Sequence, residues 1–268
     1  MATADDPMTA AFLEGHRLKG LAIKSLNDLE LHQQAAERFH ETGKLAEQNQ
    51  TDPASDDEGR RAGKVFGPYY FYEEQRCLTS YFYEKRDTAK ATEHLEKGNA
   101  LLRDHIDRLE QEIKTTAPDV SARLSSILDT ARYYQRDNAV WSEAIPARAA
   151  WDEGRFVDAL DRYRRMARRH EELIEHAKGL KDPAYERIAL GNFIGAMGNC
   201  SAAMVKQHLT IAGVQQVEVR LSQLIWSVIS FATCFRRTFA AWQRLRRIPS
   251  GRSIERERCF AEGISKSI

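Results

Sequence analysis

Apolar residues recur along the chain with steps of three and four. The clearest stripe is Ala91, Leu95, Gly98, Leu102, Ile106, Leu109 and Ile113, a spacing that keeps every member on one face of an α-helix. Asp87 precedes it as an N-cap and Pro118 follows its end, so the pattern predicts a helix of about 26 residues, ~39 Å at 1.5 Å per residue. A second stripe, Phe156, Leu160, Tyr163, Ala167, His170, Ile174 and Ala177, runs to Lys178-Gly179 and then Pro183, a basic last turn followed by a C-terminal glycine. Leu31, Ala35, Phe39, Thr42 and Ala46 form a third stripe, and the segment Thr51–Gly63 reads as the loop that closes it, because Pro, Gly and clustered aspartates neither continue a helix nor bury apolar area. No run of alternating β-branched residues competes with these patterns. Prolines at 7, 53, 68, 118, 146, 183 and 249 divide the chain into helical pieces, one of them beginning at Pro68. The expected fold is all-α. Short connections at Lys85-Arg86-Asp87 and Glu153-Gly154-Arg155 make the neighbours antiparallel, so the helices stack as successive hairpins.

Three segments carry a more specific pattern. Residues 85–101, KRDTAKATEHLEKGNAL, place Asp87 at a turn, Ala91 as a small residue at a helix crossing and Leu95 at the next large apolar position, with Leu78 and Phe82 on the helix before. Residues 153–168, EGRFVDALDRYRRMAR, repeat the pattern with Gly154, Phe156, Ala159, Leu160 and Tyr163. Residues 189–204, ALGNFIGAMGNCSAAM, supply Leu190, Gly191, Ile194, Gly198, Ala203 and Met204, with glycines of the close-packing kind. These segments resemble tetratricopeptide (TPR) repeats, in which a small side chain on each helix lets two backbones approach and large ones fill the space between hairpins. Ala91 and Ala159 lie twice the roughly 34-residue family period apart. The unit between them departs from the pattern, with Ser125 and Asp129 in packing positions. Two architectures therefore remain open, a TPR-like solenoid over residues 1–212 (with its loop at 51–63) and an irregular helical bundle, each followed by a C-terminal segment, 213–268.

The resemblance implies a concave groove lined by first helices, a fit for an extended or helical peptide. Its groove positions fall on Arg76, Ser80 and Tyr83; on Trp141, Arg148 and Trp151; and on Tyr185, Ile188 and Asn192. Ile188 stands where the carboxylate-clamping version of the family has a lysine, so a C-terminal carboxylate ligand is not implied. The residues themselves add an aromatic cluster, with Phe66, Tyr69, Tyr70, Phe71, Tyr72, Tyr81, Phe82 and Tyr83 making eight of the 24 aromatics within 18 residues. Phe71, Leu78 and Phe82 read as a core face, leaving Tyr69, Arg76 and Tyr83 on the opposite one, a residue mixture common at recognition surfaces.

Catalytic patterns are sparse. A di-iron bundle needs two ExxH pairs on facing helices, and of the eight histidines only His40, with Glu37, has a glutamate three residues before it. His170 and His176 are six apart, whereas a zinc-binding HExxH uses four. There is no GxSxG, P-loop or GxGxxG, so no cofactor is implied. Cys77, Cys200, Cys234 and Cys259 form no CxxC, which points to a reducing compartment and to buried structural thiols such as Cys200. The expected function is a non-enzymatic adaptor or regulatory module that binds another protein, in the cytoplasm.

Charge adds a last feature. The chain carries 40 basic and 39 acidic side chains, yet residues 1–182 hold 28 and 34 of them (net −6) and residues 183–268 hold 12 and 5 (net +7). The basic end follows the most apolar stretch, Leu221–Phe235, and carries Arg236, Arg237, Trp242, Arg244, Arg246 and Arg247. It reads either as a helix capping the solenoid, on the stripe Leu221, Ile225, Val228, Ala232, Phe235, Phe239 and Trp242, or as an amphipathic helix (221–248) on an anionic membrane surface. Pairing of the basic tail with the acidic body, within the chain or between copies in a homo-oligomer, is a further reading, and the acidic bulk argues against nucleic acid. The stretch of 15 residues, with Ser222, Gln223, Ser227, Ser230 and Thr233 inside it, falls short of the about 20 mainly apolar residues that a single membrane span needs.

Overall fold

The computed structural model describes residues 6–25, 28–180 and 182–212, with side chains to Gln207. Within them lie seven helices and no strand: α1 (Pro7–Lys24), α2 (Leu29–Thr51), α3 (Asp57–Glu84), α4 (Thr88–Thr115), α5 (Pro118–Asp152), α6 (Phe156–Lys178) and α7 (Pro183–Ala212). The all-α expectation is met. The helices form two compact units that part inside α5, between Asn138 and Ala139. The first unit holds α1–α4 and the first part of α5; the second holds the remainder of α5 with α6 and α7.

The first unit is built around α3. Phe12 from α1, Phe39 from α2, Leu102 and Leu109 from α4, and Leu124 and Leu128 from α5 share one core with Phe66, Tyr69, Tyr70 and Tyr72. Tyr69 is 2% exposed and its ring meets His105 of α4 and Phe12 of α1. The expected division of α3 into a core face at Phe71, Leu78 and Phe82 and a free face at Tyr69, Arg76 and Tyr83 is therefore corrected. A helix surrounded by several others is covered on all sides, and Tyr69 is among its most buried residues.

The expected loop at Thr51–Gly63 shrinks to residues 52–56, and Pro68 lies inside α3 rather than at its start. Asp56 accepts a hydrogen bond from the Gly59 amide (2.7 Å), and Asp57 and Glu58 complement the helix dipole in the first turn. Gly63 serves close approach: a Cβ there would run into the carbonyl oxygen of Ala46 on α2. Proline in a helix interior frees the carbonyl four residues back, here that of Lys64. Arg108 of α4 donates to that oxygen at 2.5 Å, and His105 Nδ1 lies 2.9 Å from the next one, Val65 O. Packing thus repairs the defect that the sequence reads as a helix boundary.

Both hairpin turns expected from the sequence are present, and they are the same turn. After α3, Arg86 takes a left-handed conformation (φ 61°); its amide donates to Tyr83 O at 3.1 Å and the Asp87 amide to Phe82 O at 2.9 Å. After α5, Gly154 takes φ 74°, its amide donates to Trp151 O at 3.0 Å and the Arg155 amide to Ala150 O at 2.8 Å. Each pair is a Schellman motif that satisfies the carbonyls at the helix end, and every residue of the second lies 68 positions after its counterpart in the first. The register continues into the helices. Ala91, Leu95, Leu102, His105, Ile106 and Leu109 are buried on α4, and the residues 68 further on, Ala159, Tyr163, His170, Leu173, Ile174 and Ala177, are buried on α6. A polar strut recurs as well: His94 Nδ1 lies 2.8 Å from Gln75 Oε1, and Arg162 Nη1 lies 3.8 Å from Glu143 Oε2. The α3/α4 hairpin and the α5/α6 hairpin are two copies of one pattern.

Glycine substitutions separate these roles. Gly63→Ala should lower the chemical denaturation midpoint by several kcal/mol of stability, because backbone must move. Gly154→Ala should cost about 1 kcal/mol through its left-handed conformation. Gly191→Ala, where a Cβ meets nothing among the described residues, should stabilise by about 1 kcal/mol.

Candidate functional site

The strongest concentration of charge in the first unit lies where α1, α3 and α5 meet. Glu73 on α3 is fully buried. Its carboxylate pairs with Lys19 of α1, accepts from Tyr69 Oη at 3.0 Å and lies 3.7 Å from Arg76 Nη1. Arg76 extends the chain of charges, donating to Asp137 Oδ2 of α5 at 3.1 Å and covering the Tyr134 ring at 4.5 Å. Beside it, Tyr72 Oη donates to Asn138 Oδ1 at 3.2 Å, and Asn138 Nδ2 donates to Asn99 of α4 at 2.9 Å. Two carboxylates alternate with two cations, and each buried charge has a partner, which low-dielectric surroundings demand.

The electrostatics follow from that geometry. Burial alone would raise the Glu73 pKa, but the Lys19 and Arg76 charges outweigh it and hold the carboxyl at about 2. Burial pushes His16 down to about 4 and the Cys77 thiol up to about 12. Around neutrality Glu73 is a paired anion, His16 is neutral and Cys77 is a thiol. Glu73, His16 and Cys77 thus each keep one protonation state around pH 7, and the paired charges tie α1, α3 and α5 together.

The second unit carries a different arrangement. Glu143 on α5 is 9% exposed and faces a row of arginines on α6, with Arg165 Nε at 3.0 Å, Arg169 Nη2 at 3.5 Å and Arg162 Nη1 at 3.8 Å. Positions 162, 165 and 169 share a helix face through steps of three and four. One carboxylate among three guanidiniums leaves local positive charge that Asp161, paired with Arg165, offsets only in part. Arg164 and Arg168 are exposed on the same helix.

The residues expected to line a groove fall into both units. Arg76, Ser80 and Tyr83 lie on α3, where Arg76 is engaged by Glu73, Asp137 and Tyr134 and Tyr83 is half-buried. Trp141, Arg148 and Trp151 lie half-buried on α5, and the Trp151 ring meets Phe156 edge-on at 5.4 Å. Tyr185 is half-buried on α7, with Ile188 and Asn192 exposed on the same helix. α5, α6 and α7 share a small core of Ala147, Ala150, Ala159, Tyr163, Cys200 and Ala203. A Cβ at Gly191 or Gly198 would meet nothing within 4 Å among the described residues. Glu37 and His40 are exposed on α2, with His40 Nδ1 3.1 Å from Glu74, and no group of three metal-ligating side chains occurs among the described residues. Arg236, Arg237, Trp242, Arg244, Arg246 and Arg247 lie outside the described residues.

Sequence reasoning missed Lys19, Glu73, Asp137 and Glu143. Their partners are many residues away on other helices, and a charged residue on an amphipathic helix normally reads as solvated. The available signal was Glu143 itself, a lone acid in the alanine-rich run AVWSEAIPARAA. No family model, curated protein or solved structure matches the chain.

Two outcomes test the buried cluster. Glu73→Gln should cost roughly 3–5 kcal/mol, the penalty for leaving a buried cation without its partner, read from the urea midpoint. Acid should act in two stages. His16 and His105, both held near 4 by burial, bind fewer protons folded than unfolded between about pH 6.5 and 4, so each contributes stability that is lost as pH falls through that window. Glu73, held near 2, contributes stability present above about pH 4.3 and lost below it. His16→Phe should flatten the first stage in denaturant titrations at pH 7 and 4.5.

Proposed function

We propose that this protein is a non-enzymatic interaction module of TPR-like helical hairpins that binds another protein, and that it acts in the cytoplasm. The observation that carries this reading is the hairpin repeated at 68 residues, twice the TPR period, with the same turn, the same buried register and a polar contact at the same pair of positions. Repeated hairpins build surface rather than a reaction centre, and their function lies in what they bind. The partly exposed Trp141, Trp151 and Tyr185, with exposed Ile188 and Asn192, offer aromatic area and polar donors of the kind that anchors protein interfaces. The arginine row on α6 favours a partner segment bearing carboxylates.

Affinity capture with the full chain tests this reading. Tyr83→Ala, Trp151→Ala and Tyr185→Ala together should reduce recovery of a specific partner at least tenfold, with helical content unchanged by circular dichroism. An unaltered partner set would refute the surface. Arg76 is left intact in this design, because its removal would strand Glu73 and Asp137.

Membrane association is the second reading, and α7 supplies its observation. Pro183–Gln207 is long and apolar enough to cross a membrane by length and composition, and only 39% of its most apolar window is buried. Flotation with anionic liposomes at low salt should carry the protein upward if this reading holds, and a protein that stays at the bottom removes it.

A further inference from the structure

The first hairpin shows what the second one needs in order to fold. Across the 68-residue register Glu143 stands where the first hairpin has Gln75. Arg162, Arg164, Arg165, Arg168 and Arg169 stand where it has His94, Glu96, Lys97, Ala100 and Leu101. With histidine neutral, those five positions carry no net charge on α4 and five positive charges on α6. The first hairpin makes the corresponding contact without an ion pair, Gln75 Oε1 lying 2.8 Å from His94 Nδ1. The hairpin fold therefore does not require arginine at these positions, and the charge on α6 is surplus to it.

The arginines form one face. Tyr163, Ala167 and His170 are buried, and with 3.6 residues per turn the five arginines cover the other half of the helix. Glu143 engages three of them, Arg165 Nε most closely at 3.0 Å. Arg169 and Arg162, at 3.5 and 3.8 Å from it, keep most of their five donors for other acceptors. Arg164 and Arg168 are exposed and join no ion pair among the described residues. Side chains already tethered at Glu143 also lose less rotamer freedom when they take a further anion.

The face is short. Residues 162–169 span ~10 Å of helix, and exposed carboxylates bracket them, Asp158 and Asp161 before and Glu171, Glu172 and Glu175 after. A nucleic acid or an anionic bilayer extends its charge past both ends and would bring phosphates against those carboxylates, which like-charge repulsion penalises. A ligand with a few carboxylates fits between the brackets. Arg164 and Arg168 lie ~6 Å apart along the axis, a spacing matched by carboxylates one turn apart on an acidic helix or two residues apart on an extended strand.

We propose that the arginine face of α6 docks a short acidic segment of a partner protein, with one pair of its carboxylates on Arg164 and Arg168 and flanking ones on Arg162 and Arg169. This deepens the interaction reading and rests on it, adding the chemistry of the partner and the residues that select it.

Fluorescence anisotropy of the full chain tests the proposal. The probe is a labelled alanine-based peptide bearing two pairs of glutamates one helical turn apart, and its control carries glutamines instead. At low salt the glutamate peptide should bind at least tenfold more tightly than the glutamine peptide. Arg164→Gln with Arg168→Gln should weaken that binding at least tenfold, with helical content unchanged by circular dichroism. Lys90→Gln with Lys97→Gln removes the same charge from exposed positions of α4 and should leave the affinity within twofold. Equal weakening by both double variants, equal affinity for both peptides, or no peptide binding would overturn the proposal. Tighter binding of duplex DNA or phosphatidylserine vesicles through Arg164 and Arg168 would overturn it as well. If the peptide fails while affinity capture still depends on Tyr83, Trp151 and Tyr185, the acidic partner class is wrong and the interaction reading stands; if capture fails too, both fall.

Discussion

A fully buried carboxylate constrains the first unit more than any other single group. Glu73 sits at the centre of the helix that every neighbour packs against, and it is tolerable there only because Lys19 arrives from α1 while Arg76, one turn along α3, balances it and Asp137 of α5 balances Arg76 in turn. Apolar packing is permissive about small slips between helices, whereas a buried ion pair is not. The cluster therefore fixes the mutual register of α1, α3 and α5, and the aromatic core of Phe12, Phe39, Tyr69 and Tyr72 fills in around it.

The same logic of covering what a helix exposes runs through the hairpins. The first helix of each hairpin is closed by a left-handed residue, Arg86 after α3 and Gly154 after α5, that satisfies the last carbonyls and turns the chain back. The following helix then buries one stripe against its predecessor. Where a helix is damaged, as at Pro68, the next helix repairs it, with Arg108 taking the carbonyl that proline leaves unbonded. Local chemistry and packing thus support one another at each step, and a repeat of the turn brings a repeat of the packing.

Much of this was legible in the residues. The stripe from Ala91 to Leu109, the N-cap at Asp87 and the short turns at 85–87 and 153–155 report local physics and are where the structure has them. The beginning of α3 was not legible, because Gly63 and Pro68 are helix breakers by local rules and are accommodated only by Ala46, Arg108 and His105 from other helices. The aromatic segment misled for a related reason: periodicity distinguishes an inner from an outer face, and α3 has scarcely any outer face. Glu73 and Glu143 were invisible as site residues because a charge reveals itself as buried only when its distant partners are known.

The account rests centrally on one hairpin pattern recurring at 68 residues. Hydrogen exchange of the full chain in lipid-free buffer tests that directly. The account predicts that backbone amides between Ala159 and Ala177 on α6 exchange as slowly as those between Ala91 and Leu109 on α4, since both are packed second helices of equivalent hairpins. Exchange of the α6 amides at the rate of unstructured chain, while those of α4 stay protected, would contradict it.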